Sequence, residues 1–228
     1  MHEGRSDGLE RTDTPVNDQH SSFTSPDKIE VTHFALAPEL APYVTQIYFF
    51  RCDEPAIRDR QPAALGHLIF LLSGRGTLKF QNGDIVEVAD ATVFGPGLAA
   101  AEFDFEGPLY DLGFALSPLG FVALTGKAAN LYADRAVPAS ELFGPQVDQL
   151  AEEFSTGHRQ GTMRVAEMVE KATALLLSQV RPVPPSHMHM VHTVINWLSS
   201  DLEPNVEKLY PMLDMSRSTA ARLITRYF

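Results

Sequence analysis

The sequence predicts an α+β fold, a β-sandwich or small barrel followed by helices, and three observations carry that expectation. From Ile29 to Leu116, short apolar runs are broken by turn signals at close intervals, the pattern of a sandwich or barrel. Beyond Ser117-Pro118 the apolar spacing changes from strand alternation to helical periodicity. The chain has 228 residues, 44% of them hydrophobic and 21% charged, enough to bury a β core and a helical one. No apolar stretch approaches the ~20 residues that span a membrane, so a membrane protein is not expected.

Residues 1–27 are rich in Asp, Glu, Ser, Thr, Gly and Pro with few apolar anchors, and read as a disordered leader. The β region, 28–116, is expected to hold strands over Val44–Arg51, His67–Ser73, Thr77–Gln81, Asp84–Val88, Thr92–Phe94, Ala101–Phe105 and Tyr110–Leu116. Gly74-Arg75-Gly76 reads as a turn between the second and third of these. Asn82-Gly83 is the pair that tolerates positive φ at both central positions of a two-residue type I′ hairpin. Glu102, Asp104 and Glu106 alternate with Phe103 and Phe105, which puts acids in water and aromatics in the core, a simpler account than a paired-carboxylate site. Gly95-Pro96-Gly97 is a turn with no lysine or helix N-terminus to make it a phosphate cradle.

Residues 117–181 read as a helical extension. Ser117 is an N-cap with Pro118 at the first helical position, and Gly126 can close that helix. Pro145 opens a second helix, in which Val147, Leu150, Ala151 and Phe154 share a face and Gly157 is the expected stop. From Thr162 onward, Val165, Val169, Ala172, Leu176 and Val180 form one stripe, core if covered and a dimer seam if exposed. Pro182, Pro184 and Pro185 make a stiff spacer, where a domain boundary is expected. Residues 187–228 then hold a helix over His187–Leu198 and a terminal helical pair.

The net charge is −11 with a pI near 5.1, which argues against a protein that coats nucleic acid with its whole surface. The charge is uneven: from Val206 to Phe228, Lys208, Arg217, Arg222 and Arg226 outnumber Glu207 and Asp214. This segment divides into helix, tight turn and helix. Leu209 and Leu213 share a face of the first helix, Met215 plugs the turn, and Ser216 caps the second helix. Ala220, Leu223 and Tyr227 close a small core. Arg217, Ser218, Ala221, Arg222, Thr225 and Arg226 are then left facing outward. Small residues near a helix N-terminus allow close approach to a major groove, Arg222 can fork onto a guanine edge, and Arg217 and Arg226 suit phosphates.

Leu209 through Ser216, followed by Arg217 to Phe228, resembles the first helix-turn-helix of the AraC family of transcription regulators. In that family a leucine-rich helix leads to a serine-capped recognition helix ending in Arg-Leu and then Phe or Tyr. Ala37-Pro38-Glu39-Leu40 with Pro42-Tyr43-Val44 resembles the opening of the cupin-like N-terminal domain in one branch of the family. So does the block from Phe114 through Ser117-Pro118, Ala133-Asp134-Arg135 and Glu141-Leu142-Phe143-Gly144. The resemblance implies a cupin-like β-barrel or sandwich, a helical linker and a partial all-α helix-turn-helix module. It implies transcription regulation, with effector sensing or dimerisation in the N-terminal domain and operator recognition in the C-terminal helices. Its implied partners are DNA, a small-molecule effector and a second copy of the chain. Family modules carry two helix-turn-helix units, so the natural protein is expected to continue past Phe228 and this chain to bind DNA weakly. Tyr210 and Asp214 stand where the family usually has Ala and Gly. Pro211 falls inside the first helix, at a cost of about 3 kcal/mol unless the helix kinks there.

If the barrel senses a ligand, Phe70, Phe80 and Phe94 are expected to line its apolar interior, although side chains commonly fill so small a barrel. His33 and His67 are too far apart in sequence, and too unsupported, to predict a metal site. His187, His189 and His192 are more suggestively spaced, but His187 and His189 cannot share a helical face, so no metal or other cofactor is expected. Cys52, the one cysteine, follows an apolar run and reads as a resting thiol; with no secretory signal, the expected compartment is the reducing cytosol. No enzyme activity is expected. The alternatives are a cupin-fold small-molecule enzyme, or a ligand-binding or dimerisation domain without a DNA role.

Overall fold

A computed structural model of the chain describes residues 23–200 and 203–228. Eight strands form one antiparallel sheet: β1 (Ile29–Phe34), β2 (Val44–Cys52), β3 (Ala56–Gln61), β4 (His67–Lys79), β5 (Ile85–Glu87), β6 (Ala91–Phe94), β7 (Ala101–Leu116) and β8 (Ala136–Pro138). The main path runs β1-β2-β7-β4-β6-β8, with β3 paired to β7 and β5 to β4. One cavity is lined at once by Ile29 of β1, Gln61 of β3 and Leu78 of β4, so the sheet curls around it. With seven helices besides, the fold is mixed α+β.

The long strands β4 and β7 are the frame. The expected turn at Gly74-Arg75-Gly76 lies inside β4 instead, because β7 runs on opposite it and keeps Arg75 paired with Glu106 and Gly76 with Phe105. The strand bends there rather than ending. Between Leu71↔Asp111 and Gly76↔Phe105 the pairing slips by one residue, and the slip exchanges the faces of β4. Before the bend Leu71 points into the curl; after it Leu78 and Phe80 do. A Cβ at Gly76 would come within 2.5 Å of Phe105 Cγ, so only glycine fits under that ring.

Strands β1 and β3 have little apolar alternation to announce them. β1 is an edge strand, mostly exposed. β3 is held by its register with β7, across which Arg58 meets Asp104 at 2.8 Å and Arg60 meets Glu102 at 3.1 Å. Of the expected leader, residues 1–22 lie outside the described residues, while residues 23–27 are placed. Thr24 N donates to Arg58 O at 2.7 Å and Thr24 Oγ1 accepts from Arg58 N at 3.0 Å. The Asn82-Gly83 hairpin differs from the two-residue type I′ expectation. Gly83 has φ +91° and Asn82 does not have positive φ. Phe80 N donates to Asp84 O and Gly83 N to Phe80 O, which makes a three-residue loop ending on a left-handed glycine.

The helices cover the convex face of the sheet. α1 (Pro118–Thr125) is capped as expected, Ser117 Oγ accepting from Gly120 N at 2.8 Å and Gly126 closing it at φ +72°. α2 (Ser140–Phe143) is one turn, and α3 (Gln146–Gln160) runs past Gly157 to end at Gly161. Gly157 stays inside the helix because Met163 folds back over it. The stripe on α4 (Val165–Gln179) is covered, with Val169, Ala172 and Leu176 buried, so it is core. On the sheet side Leu68, Phe70, Leu112 and Phe114 meet this layer, and the Phe70 and Phe154 rings pack edge to face with centroids 5.1 Å apart. The segment read as a helical extension therefore shares a core with the sheet and supplies β8.

Three further helices complete the chain: α5 (Pro185–Ser200), α6 (Val206–Leu209) and α7 (Arg217–Tyr227). Met190, Val191 and Val194 of α5 and Ala220, Leu223 and Tyr227 of α7 close on Leu119 and Val122 of α1. Truncating Phe70 to Ala should cost about 3–5 kcal/mol, because it leaves a hole between sheet and helices. Glu102→Gln, which removes an exposed ion pair, should cost under about 1 kcal/mol. Urea unfolding of the two variants checks the contrast.

Candidate functional site

The two regions named by the sequence, the outer face of the last helix and the interior of the curled sheet, are built by different local rules. On α7, Ser216 Oγ accepts from Thr219 N at 3.3 Å and fixes the helix start. The buried stripe is Ala220, Leu223 and Tyr227, so helical periodicity leaves Arg217, Ser218, Ala221, Arg222, Thr225 and Arg226 exposed together. Arg217 is tied to the preceding helix. Its Nη2 donates to Glu207 Oε1 at 2.8 Å and its guanidinium lies 4.6 Å from the Tyr210 ring centroid, so it links α7 to the helix before it. Arg222 and Arg226 remain on the open face.

Pro211 shapes the first member of the pair. α6 ends at Leu209 and the chain tightens into a 3-10 turn over Tyr210–Met212, where the missing proline donor is not needed. Leu213 consequently stands in extended backbone (φ −101°, ψ 123°) rather than on a helix face, yet it is buried with Leu209 in the same cluster. At the base of α7, His187 Nδ1 and Tyr227 Oη are 3.1 Å apart. Burial lowers the His187 pKa from its ordinary value, with the nearby Arg226 and Arg222 charges acting in the same direction.

The three phenylalanines expected around a ligand are separated by the one-residue slip of β4. Phe70 precedes it and faces the helices, whereas Phe80 and Phe94 face the interior. Phe80 and Phe94 line a recess of only about 20 Å³, filled by side chains. The roomier interior cavity, about 280 Å³, lies beside it and is walled by Phe50, Ile69, Phe103, Phe105 and Leu109. Tyr48 and Asp111 line its inner part and Asp59, Arg60 and Gln61 of β3 its rim; none of these was singled out from the sequence. The signal for Asp111 was a carboxyl amid the apolar run Leu109 to Leu116, at the position where β7 alternation points inward.

Asp111 is held between Phe50 of β2 and Leu71 of β4, its partners across the sheet. It is 9% exposed, its Oδ1 has no hydrogen-bond partner among the described residues, and burial pushes its pKa up to about 7. Beside it the Tyr48 ring lies across Gly113, where any side chain would collide with it. Burial, and then the Asp111 charge, raise the Tyr48 pKa well above the usual phenol range. His67 packs edge to face with Tyr48 at 6.2 Å, and its pKa is lowered chiefly by burial. Outside the curl, a cleft of about 810 Å³ lies between β4 and α3; its acids Asp90, Asp148 and Glu152 are all exposed. Among the described residues, no group of three or more His, Cys, Asp or Glu side chains is placed to hold a metal ion. No helix among them is long and apolar enough to cross a membrane.

No family model matches the chain, and no curated protein matches it by sequence. Among solved structures it is similar to the AraC-like transcriptional activator CuxR, at 15% identity over 86% of this chain and 80% of that one, with a TM-score of 0.39. It is also similar to a cupin superfamily protein from Desulfitobacterium hafniense, at 15% identity over 50% of this chain and 98% of that one (TM-score 0.29). A third is a protein described as an ethanolamine utilization protein from Salmonella typhimurium, at 13% identity over 41% of this chain and 77% of that one (TM-score 0.30). Overlap this partial carries no weight for what the chain does.

The Asp111 carboxyl gives the fold a pH dependence with a definite sign. Its pKa is higher in the folded chain, so between about pH 4 and 7 the unfolded chain releases a proton that the folded one keeps. Stability contributed at acid pH is therefore lost as pH rises through that window, in total roughly 4 kcal/mol. The difference in melting temperature between Asp111→Asn and the unmutated chain should grow in favour of the variant from pH 4 to 7 and then level off.

Proposed function

We propose that the chain is a transcription regulator of the AraC type. In this reading the C-terminal helices approach DNA through the outer face of α7, and the curled sheet is a cupin-like domain that senses a small molecule, mediates dimerisation, or does both. The observation that carries the reading is the division of α7. Its apolar side is spent on the core shared with α1 and α5, while Arg222, Arg226 and the small residues Ser218 and Ala221 are exposed on the other side. A helix that offers small residues and guanidinium groups on a convex, capped end suits a major groove.

The charge distribution supports the same assignment. An acidic chain of net charge −11 repels a duplex except where a local excess of arginine faces it, so contact is confined to one end of the molecule. Arg217, paired with Glu207 in the free protein, is assigned to holding the two helices at their angle, and it has to leave that partner to reach a phosphate. Arg222 and Arg226 carry the direct contacts. The 187–228 unit is accordingly the DNA reader, and 28–181 the sensing and dimerising part.

DNA fragments from the native promoters, selected on the full chain and measured by fluorescence anisotropy, test the proposal. Retained fragments should bind more weakly as salt rises, and Arg222→Glu should weaken binding by at least tenfold, the about 1–3 kcal/mol of a base-reading arginine. Glu207→Gln, which frees Arg217, should leave binding equal or tighter. Absence of any fragment bound above random DNA, or an Arg222→Glu protein that binds like the parent, overturns the assignment in favour of a domain without a DNA role.

A further inference from the structure

Asp111 is the one charged side chain lining the interior cavity that is itself buried, and none of the described residues answers its Oδ1. A buried acceptor without a donor costs free energy, and proteins keep such groups where a partner arrives from outside. The cavity gives such a partner a way in, since Asp111 lines it while Phe50 and Leu71 are its neighbours across the sheet. From its apolar walls, Phe103 and Phe105 on β7 and Ile69 on β4 offer surface for a hydrocarbon body. Its volume of about 280 Å³ is some nine times the ~30 Å³ share of a liquid water, enough for a small aromatic or branched aliphatic molecule.

The charges at the cavity rim select the sign of the ligand. Asp59 and Arg60 of β3 both line it; Arg60 is already engaged by Glu102 at 3.1 Å, and Asp59 accepts from Arg60 N at 2.7 Å. With Arg60 neutralised by Glu102, the remaining lining charge is acidic. Resting on the sensing role proposed above, we infer that the cavity is the effector site and that its ligand is a small organic cation, an ammonium group on an aromatic or aliphatic body, donating to Asp111 Oδ1. The ammonium exchanges places with the proton that the buried carboxyl otherwise holds, and the Phe50 and Tyr48 rings beside it add favourable ring–cation contact. A neutral alcohol could donate the same hydrogen bond without the charge; a carboxylate would have to be met by a protonated Asp111.

Calorimetric titration of the full chain with butylamine, benzylamine and phenethylamine, each against the alcohol and the carboxylate of the same body, decides between these three. At least one amine should bind at least tenfold more tightly than its alcohol and its carboxylate. Asp111→Asn should weaken that amine by about ten- to hundredfold, while Asp59→Asn at the rim should have the smaller effect. On the unmutated chain, the carbon-13 resonance of the Asp111 carboxyl should move to its ionised position when the amine is added below the point at which it titrates alone. Equal or tighter binding of an alcohol or carboxylate, no binding of any amine, or an unmoved Asp111 resonance overturns the inference. No DNA is present in these titrations. Amine binding by a chain that ignores DNA would therefore remove the regulator reading alone, and DNA binding by a chain that ignores amines would remove this inference alone.

Discussion

The two cores of the molecule share one short helix, α1, that neither can give up. All eight residues of α1 are buried, an unusual condition for so short a helix lying beyond a sheet. Phe121 and Leu124 belong to the core between sheet and helices, whereas Leu119 and Val122 belong to the core that holds α5 and α7. The local sequence holds the helix in place at its N-terminal end. Ser117 Oγ donates to Pro42 O at 2.8 Å while accepting from Gly120 N, and Gly120 lies so close to the Tyr43 backbone that a side chain there would collide. A shift of α1 therefore has to be shared by the two cores it belongs to, which gives the sheet and the last helices a physical means of coupling, the one the proposed sensing and reading roles require.

Within the sheet, the comparable constraint is the slip between β4 and β7. It decides which residues face the cavity, and it leaves a carboxyl on the inner face with apolar neighbours in register on both sides. Such a group weakens the fold at neutral pH. A buried polar group kept against that cost makes the position a candidate site, the basis of the inference drawn for the cavity. The two exposed ion pairs between β3 and β7 are the opposite case, solvated and individually weak.

Much of this was legible in the residues. The Ser117 cap, the apolar stripes of α3 and α4, the inward aromatics of β7 and the division of α7 into buried and exposed sides all follow from periodicity and cap chemistry. The failures share a cause, which is that pairing overrides local signals. Gly74-Arg75-Gly76 has the composition of a turn, yet a long partner strand keeps it extended. Phe70 and Phe80 are an even number of residues apart, so simple alternation puts them on one face; the one-residue slip between them depends on β7 and cannot be read from β4 alone. β1 and β3 escaped notice because edge strands need little apolar patterning, and Gly157 looked like a stop because the side chain packed over it comes from beyond the helix. Asp111 was missed because its significance is its lack of a partner, a property of three dimensions.

The shared burial of α1 can be tested most directly through Trp197, the chain's only tryptophan, which packs against the core of the last helices. Urea unfolding followed at once by Trp197 fluorescence and by far-ultraviolet circular dichroism reports on that core and on the whole fold. Superimposable transitions are expected, since the C-terminal helices cannot separate without exposing Leu119 and Val122. A fluorescence midpoint well below that of the dichroism would show the last helices coming away on their own, and would contradict the coupling on which the account rests.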